Sequence, residues 1–283
     1  MTNRRIPDTD IELSSISWGT MRLKQKHLSI KDVSYLAGNA VDLGIDTFHV
    51  SSEYDSYNLL IEALKKMPNS QNKSVKYICK LANPHFGGNS FDAVRLKQSV
   101  ERYLLELNTD RIDVLQWMWR IKPFNDDLRC ALFEDTAEEL AESFESLLKE
   151  GKVGAVSCFP YSKEFMSRVR GRNLAQGQVN YLNLSQRDAL ECGLGSYTIA
   201  LRGACVGDLQ GIKNYHGLSL SEFNDPYRMV YRFPLLSPNV VTSVIGLNNL
   251  SHMELASSLL DTAPDEKEFQ RYVSSRWNEF DMK

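Results

Sequence analysis

The chain has 283 residues, 42% hydrophobic and 24% charged, the make-up of an ordinary globular domain that needs no disulfide or metal staple. A formal net charge of −3 with interspersed signs gives no footprint for nucleic acid or for an anionic membrane surface. The five cysteines (Cys79, Cys130, Cys158, Cys192 and Cys205) form no CxxC pair, so no zinc ribbon, disulfide framework or other metal site is expected. No run reaches the ~20 apolar residues of a membrane helix. The start, Met1 to Pro7, lacks an apolar leader, and a reducing cytoplasm is the expected location.

Along the chain, Ile11–Ser17 reads as a short strand, which leaves the first strand of the main sheet ambiguous. A helix over Ile30–Leu43 leads to a strand at Ile45–Val50. A helix at Leu59–Lys66 leads to a strand at Val75–Leu81, and a helix at Phe91–Leu107 to a strand at Ile112–Met118. The helix over Thr136–Lys149 has the plainest signature. Glu139 stands three residues after Thr136 in a capping-box pattern, Leu140, Phe144, Leu147 and Leu148 form one stripe, and Gly151 marks the stop. Strands follow at Val153–Phe159, Gln178–Leu182, Tyr197–Leu201 and Val240–Ile245, with a helix over Ser219–Phe233 before the last.

The strands are short and mostly apolar rather than alternating, which suits a parallel sheet buried on both faces. Repeated strand–helix alternation of this length predicts a closed (β/α)8 barrel, taken as one domain over 1–283 because no linker or repeat interrupts it. In such barrels the functional groups sit at the C-terminal ends of the strands. That rule alone singles out His49, Tyr54, Lys80, Met118 to Arg120, Phe159, Gln178, Leu201 and Gly246.

Several of these strand ends carry a resemblance. Leu13-Ser14 through Gly19-Thr20-Met21-Arg22-Leu23, Gly44-Ile45-Asp46 through Glu53-Tyr54, Asp110-Arg111-Ile112-Asp113, Glu150-Gly151-Lys152-Val153 and Gln178 follow one another as in the aldo-keto reductase superfamily. The chain resembles that family from about Ile11 to Leu260. The resemblance implies a (β/α)8 barrel of aldo-keto reductase type and carbonyl reduction with NADPH. It also implies a tyrosine that protonates the carbonyl, a lysine that lowers that tyrosine's pKa, an aspartate that holds the lysine, and a histidine that orients the substrate.

Carried over by position, Tyr54 and Lys80 are the tyrosine and the lysine, His49 stands at the aspartate position, and Met118 at the histidine position. A thioether neither donates a hydrogen bond nor carries a proton. The serine and asparagine that hold the nicotinamide carboxamide fall on Phe159 and Pro160. Gln178 remains as amide partner, and the stacking tyrosine falls on Leu201. No lysine or arginine occurs from Ser243 to Leu260. Asn248, Asn249 and His252 stand there instead, and Lys213 is the remaining cation for a pyrophosphate. A helix N-terminus near Asn249 supplies only about 0.3–1 kcal/mol towards an anion, too little to replace a charged clamp.

Candidate acid–base residues are therefore Tyr54, Lys80 and His49. Repulsion from Lys80 should favour a neutral imidazole at His49, and the ammonium should favour a Tyr54 phenolate. Met21, Arg22, Met118, Trp119 and Arg120 are candidate substrate contacts. Arg120 could take a carboxylate or phosphate, weighed against simple surface solvation. Trp117, Cys79 and Cys158 read as packing.

Three functions stay open. The first is cofactor-independent acid–base chemistry of isomerase or lyase type on a small organic molecule. The second is an atypical reductase of a small carbonyl or imine compound using NADP(H) or NAD(H). The third is a non-catalytic binding or regulatory subunit. The leading reading needs no cofactor and takes a small-molecule ligand, with no nucleic-acid or membrane partner; the oligomeric state stays open.

Overall fold

Runs such as Val153–Phe159, in which nearly every residue is apolar or small, can be buried on both faces, as a central parallel strand requires. In the computed structural model, which describes residues 3–261 apart from 87, 89, 122–124, 183–195 and 205–225, eight such strands close into a barrel. They are β3 (Ile16–Gly19), β4 (Thr47–Val50), β5 (Lys76–Ala82), β6 (Ile112–Met118), β7 (Val153–Phe159), β8 (Gly177–Tyr181), β9 (Tyr197–Leu201) and β10 (Val240–Ile245). All neighbours are parallel, and β10 closes the ring on β3. The expected (β/α)8 barrel is therefore what the chain forms.

The ambiguous first strand resolves into two pieces. A hairpin of β1 (Asn3–Arg5) and β2 (Glu12–Ser14) precedes β3. Ile6, Ile11 and Leu13 of this hairpin join the side chains of the barrel interior. Arg4 ties the hairpin to the start of β10 and the chain leading into it by donating to the carbonyls of Leu235, Ser237 and Val240.

Helices cover the outside. In α1 (Ile30–Asp42), Ser29 and Asp32 form a reciprocal capping box, and Val33, Leu36, Ala37 and Ala40 make the buried stripe. After α2 (Tyr57–Leu64) and the short α3 (Asn69–Ser74), α4 (Ala93–Leu107) starts at an Asp92 cap and ends at Asn108 in the left-handed region, φ 52°. Then come α5 (Asp126–Glu134), α6 (Ala137–Lys149), α7 (Lys163–Gly171), α8 (Pro226–Arg232) and α9 (Leu250–Asp261). The capping box expected at Thr136 does not form. The preceding helix α5 ends only two residues earlier, so the Thr136 hydroxyl donates back to the Leu132 carbonyl instead. Residues 219–225 of the helix expected over Ser219–Phe233 lie outside the described residues. None of the described helices is long and apolar enough to cross a membrane.

Strand register sorts the side chains into two cores. Trp117, Cys158 and Ala200 point outward into the layer shared with the helices, where Trp117, Trp119, Phe133, Phe144 and Phe165 interlock. Val114, Met118, Ala155, Phe159, Val179 and Ile199 point into the barrel. The interior is thus a packed core whose upper layer is the floor of the mouth.

Candidate functional site

Because side chains alternate along a strand, residues paired in register share a face. Lys80, Gln116, Ser157, Gly177 and Tyr197 form one inward-facing level across β5 to β9. Ala82, Met118 and Phe159 form the next level towards the C-terminal ends. Polar groups therefore lie one layer below an apolar rim. Met118, where the resemblance implies a histidine, belongs to that rim and is 3% exposed.

His49 stands in register with Ile78, two residues before Lys80 on its strand, and its ring hydrogen-bonds into the polar level. It enters from β4, which pairs with β5, and is 4% exposed. Its Nε2 lies 2.6 Å from Oε1 of buried Gln116, and its Nδ1 lies 3.3 Å from the Tyr54 hydroxyl. A carboxamide oxygen only accepts, so the imidazole carries its proton on Nε2 and leaves Nδ1 to accept from the Tyr54 O–H. Burial lowers the His49 pKa to about 4, with repulsion by Lys80 a lesser cause. The ring is thus neutral, as expected, but chiefly through desolvation rather than through like charge.

Tyr54 and Lys80 do not make the contact the resemblance implies. The Lys80 ammonium lies 5.0 Å over the Tyr54 ring and pairs with Glu53 Oε2 at 2.8 Å. Burial, with Tyr103 and Glu53 adding repulsion, pushes the Tyr54 phenol well above its ordinary range. The expectation that Lys80 promotes a phenolate is corrected by this geometry: burial favours the neutral phenol, the ammonium is paired with Glu53 instead, and the proton rests on Tyr54. Burial also lowers the Lys80 pKa, and Glu53 opposes that.

Glu53 and Gln116 were not singled out from the sequence. Both were accessible there. Glu53 sits inside the quoted segment beside Tyr54, and Gln116 is a polar residue two positions before Met118, on the same strand face.

Arg120 is not simply solvated. Its side chain is 20% exposed, Nε donates to the Tyr161 hydroxyl at 2.9 Å, Nη1 lies 3.3 Å from Glu53 Oε2, and the guanidinium stands 4.9 Å over the Phe86 ring. Phe159 makes edge contacts with Tyr161 and Tyr181, and Arg202 lies 4.3 Å over Tyr181. Met21, half-exposed, and Arg22 lie just after β3; the Met21 carbonyl accepts from Ser56. Trp119 is elsewhere. Its indole is fully buried against Trp117, Phe133 and Phe165, because 119 shares the outward parity of 117.

The positions at which the resemblance places a nicotinamide fit it poorly. Phe159 and Pro160 offer no side-chain hydrogen bond. Gln178 pairs in register with Cys158, itself paired with Trp117, so it faces the helices and not the mouth. Its Nε2 donates to Thr198, and its buried Oε1 has no partner among the described residues. Leu201 is half-buried beside the interior core. Asn249 Oδ1 caps α9 by accepting from the His252 N–H, while Asn248 Nδ2 makes only a long 3.5 Å contact with the Gly246 carbonyl. Lys213 lies outside the described residues. Among those residues, no group of three or more His, Cys, Asp or Glu could hold a metal ion.

A sequence model described as "Aldo/keto reductase family" matches residues 15–193. The chain belongs to the aldo/keto reductase family. No curated protein matches the chain in sequence. Among solved aldo-keto reductase structures, the holo form of AKR11C1 from Bacillus halodurans is similar with a TM-score of 0.75 and 17% identity, covering 97% of this chain and 95% of that one. The apo form gives a TM-score of 0.70 at 16% identity over 97% and 96%. An aldo-keto reductase candidate from Pseudomonas aeruginosa gives 0.67 at 20% identity over 91% and 95%. At these identities the likeness is one of fold.

Proposed function

We propose that this aldo/keto reductase family barrel transfers protons on a small organic molecule at its C-terminal mouth, an isomerisation or elimination that uses no nicotinamide hydride. The observation that carries this reading is the Tyr54–His49–Gln116 chain, with a neutral imidazole nitrogen 3.3 Å from the phenol. Gln116 fixes the tautomer, His49 Nδ1 is the acceptor, and the Tyr54 oxygen is the atom that meets substrate.

In the proposed step the Tyr54 oxygen takes a proton from carbon next to a substrate carbonyl while its own proton passes to His49 Nδ1. The electron pair of the broken C–H bond stays on the substrate as an enolate. Return of the proton to a different atom completes an isomerisation. With a His49 pKa of about 4, forming the imidazolium at pH 7 costs about 4 kcal/mol. That lies within what an enzymatic barrier accommodates, and an enolate forming beside Tyr54 offsets part of it.

The test is deuterium exchange, followed by proton NMR in heavy water, across carbonyl compounds with and without a carboxylate, pyruvate and butanone among them. Exchange should fall by ~10²–10⁴ in Tyr54→Phe and His49→Gln. Exchange that persists unchanged in Tyr54→Phe contradicts the reading.

A nicotinamide-dependent reductase is the second reading. It is favoured by family membership, by the holo form in which the similar Bacillus halodurans protein is known, and by Lys80 keeping a carboxylate partner in Glu53.

A further inference from the structure

We propose that Arg120, with Lys80 behind it, is the recognition subsite for a carboxylate carried by the substrate, and that Glu53 is the counterion the ligand exchanges with. This deepens the proton-transfer reading, and rests on it in taking the mouth as the substrate site.

Three features lead there. First, charge is unbalanced. Lys80 and Arg120 share one oxygen of Glu53, at 2.8 and 3.3 Å, His85 Nε2 stands 3.5 Å from its other oxygen, and no other carboxylate among the described residues bonds to Lys80 or Arg120. Two cations on one carboxylate leave a single positive charge over, which matches one carboxylate better than a phosphate dianion. Second, Arg120 is held in place before any ligand arrives. Its backbone N–H donates to the Pro84 carbonyl, its Nε to Tyr161, and its plane lies over Phe86. Nη2 makes no hydrogen bond among the described residues, so part of the planar fork that suits a carboxylate stays available. A fixed guanidinium loses less freedom on binding than a floppy one.

Third, the surroundings fit an apolar body with an anionic end. Phe159 and Met118 floor the mouth, Tyr161 and Tyr181 flank Phe159, and Arg202 lies over Tyr181 at the far end of this aromatic row. A ring or alkyl chain against that row, with its carboxylate on Arg120, would lie beside Glu53, the residue before Tyr54.

The experiment is calorimetric titration of the full chain with benzoate and phenylacetate, each against its neutral amide, and with inorganic phosphate. Carboxylates should bind about tenfold or more tighter than the amides, the scale of a hydrogen bond to a charged group. Arg120→Met should erase that preference, with the loss falling mainly on the carboxylates. Arg120→Lys, which keeps the charge but not the fork, should retain part of it and serves if the methionine variant does not fold. Glu53→Gln should strengthen carboxylate binding, a sign opposite to that of a merely structural residue. Equal binding of carboxylate and amide, a preference intact in Arg120→Met, weaker carboxylate binding in Glu53→Gln, or phosphate binding above both carboxylates would each overturn the subsite. The titration needs no turnover. A protein that binds carboxylates selectively but catalyses no exchange therefore defeats the proton-transfer reading and not the subsite.

Discussion

Lowering the pH from neutral to about 4 should destabilise the fold through one buried side chain. His49 is neutral inside the barrel with a pKa of about 4, against 6.5 for the free side chain. As pH falls through 6.5, the unfolded chain takes up this proton and the folded chain does not, so stability is lost between 6.5 and about 4. Below that range both states are protonated, and this group adds no further loss. The interval corresponds to about 3 kcal/mol, a large fraction of the 5–15 kcal/mol that holds a typical domain together. Urea denaturation at a series of pH values should therefore show His49→Gln losing about 3 kcal/mol less than the native chain on acidification. Carboxylates titrate in both proteins and cancel in the difference. Parallel stability curves for the two proteins would mean that His49 is not held neutral by burial, and the tautomer argument would fall with it.

Two further perturbations test the geometry beneath this. Gln116→Leu leaves the His49 Nε2–H without its acceptor in a buried layer, and should cost about 1–3 kcal/mol by denaturation; imidazole nitrogen NMR should then show a mixture of tautomers, and an unchanged Nε2–H signal would contradict the assignment. Gly177→Ala would put a methyl group 2.2 Å from the Tyr197 ring, on the same level as Lys80 and Gln116. Such overpacking should destabilise by about 1–3 kcal/mol, and a neutral result in a melting experiment would mean that the interior is looser than its register implies.

The barrel was legible because its strands are apolar on both faces and recur with helices between them. Four of the expected strands, including Ile112–Met118 and Val153–Phe159, have the bounds predicted. Helices α3, α5 and α7 escaped notice: α3 has six residues and buries none, and α5 and α7 have nine each and bury only a short stripe, too little to stand out as a period. Tyr54, Lys80 and His49 do gather in the barrel mouth, but their partners were not legible. Family spacing places a lysine near a tyrosine without saying which carboxylate will hold the lysine, and Glu53 lies one residue from Tyr54. Trp119 was placed in the mouth by its nearness to Met118 in sequence, although strand parity carried one step further sends it outward with Trp117. For Arg120 the sequence leaves an anion contact and simple solvation both open, because charge alone says nothing of the phenol, ring and carboxylate that converge on it.

The most direct test is titration of the full chain with NADPH and NADH, followed by nicotinamide fluorescence and calorimetry. A barrel that works by proton transfer through Tyr54 and His49 should show no binding at millimolar cofactor. Micromolar binding of either dinucleotide would contradict it and make hydride transfer the function of this site.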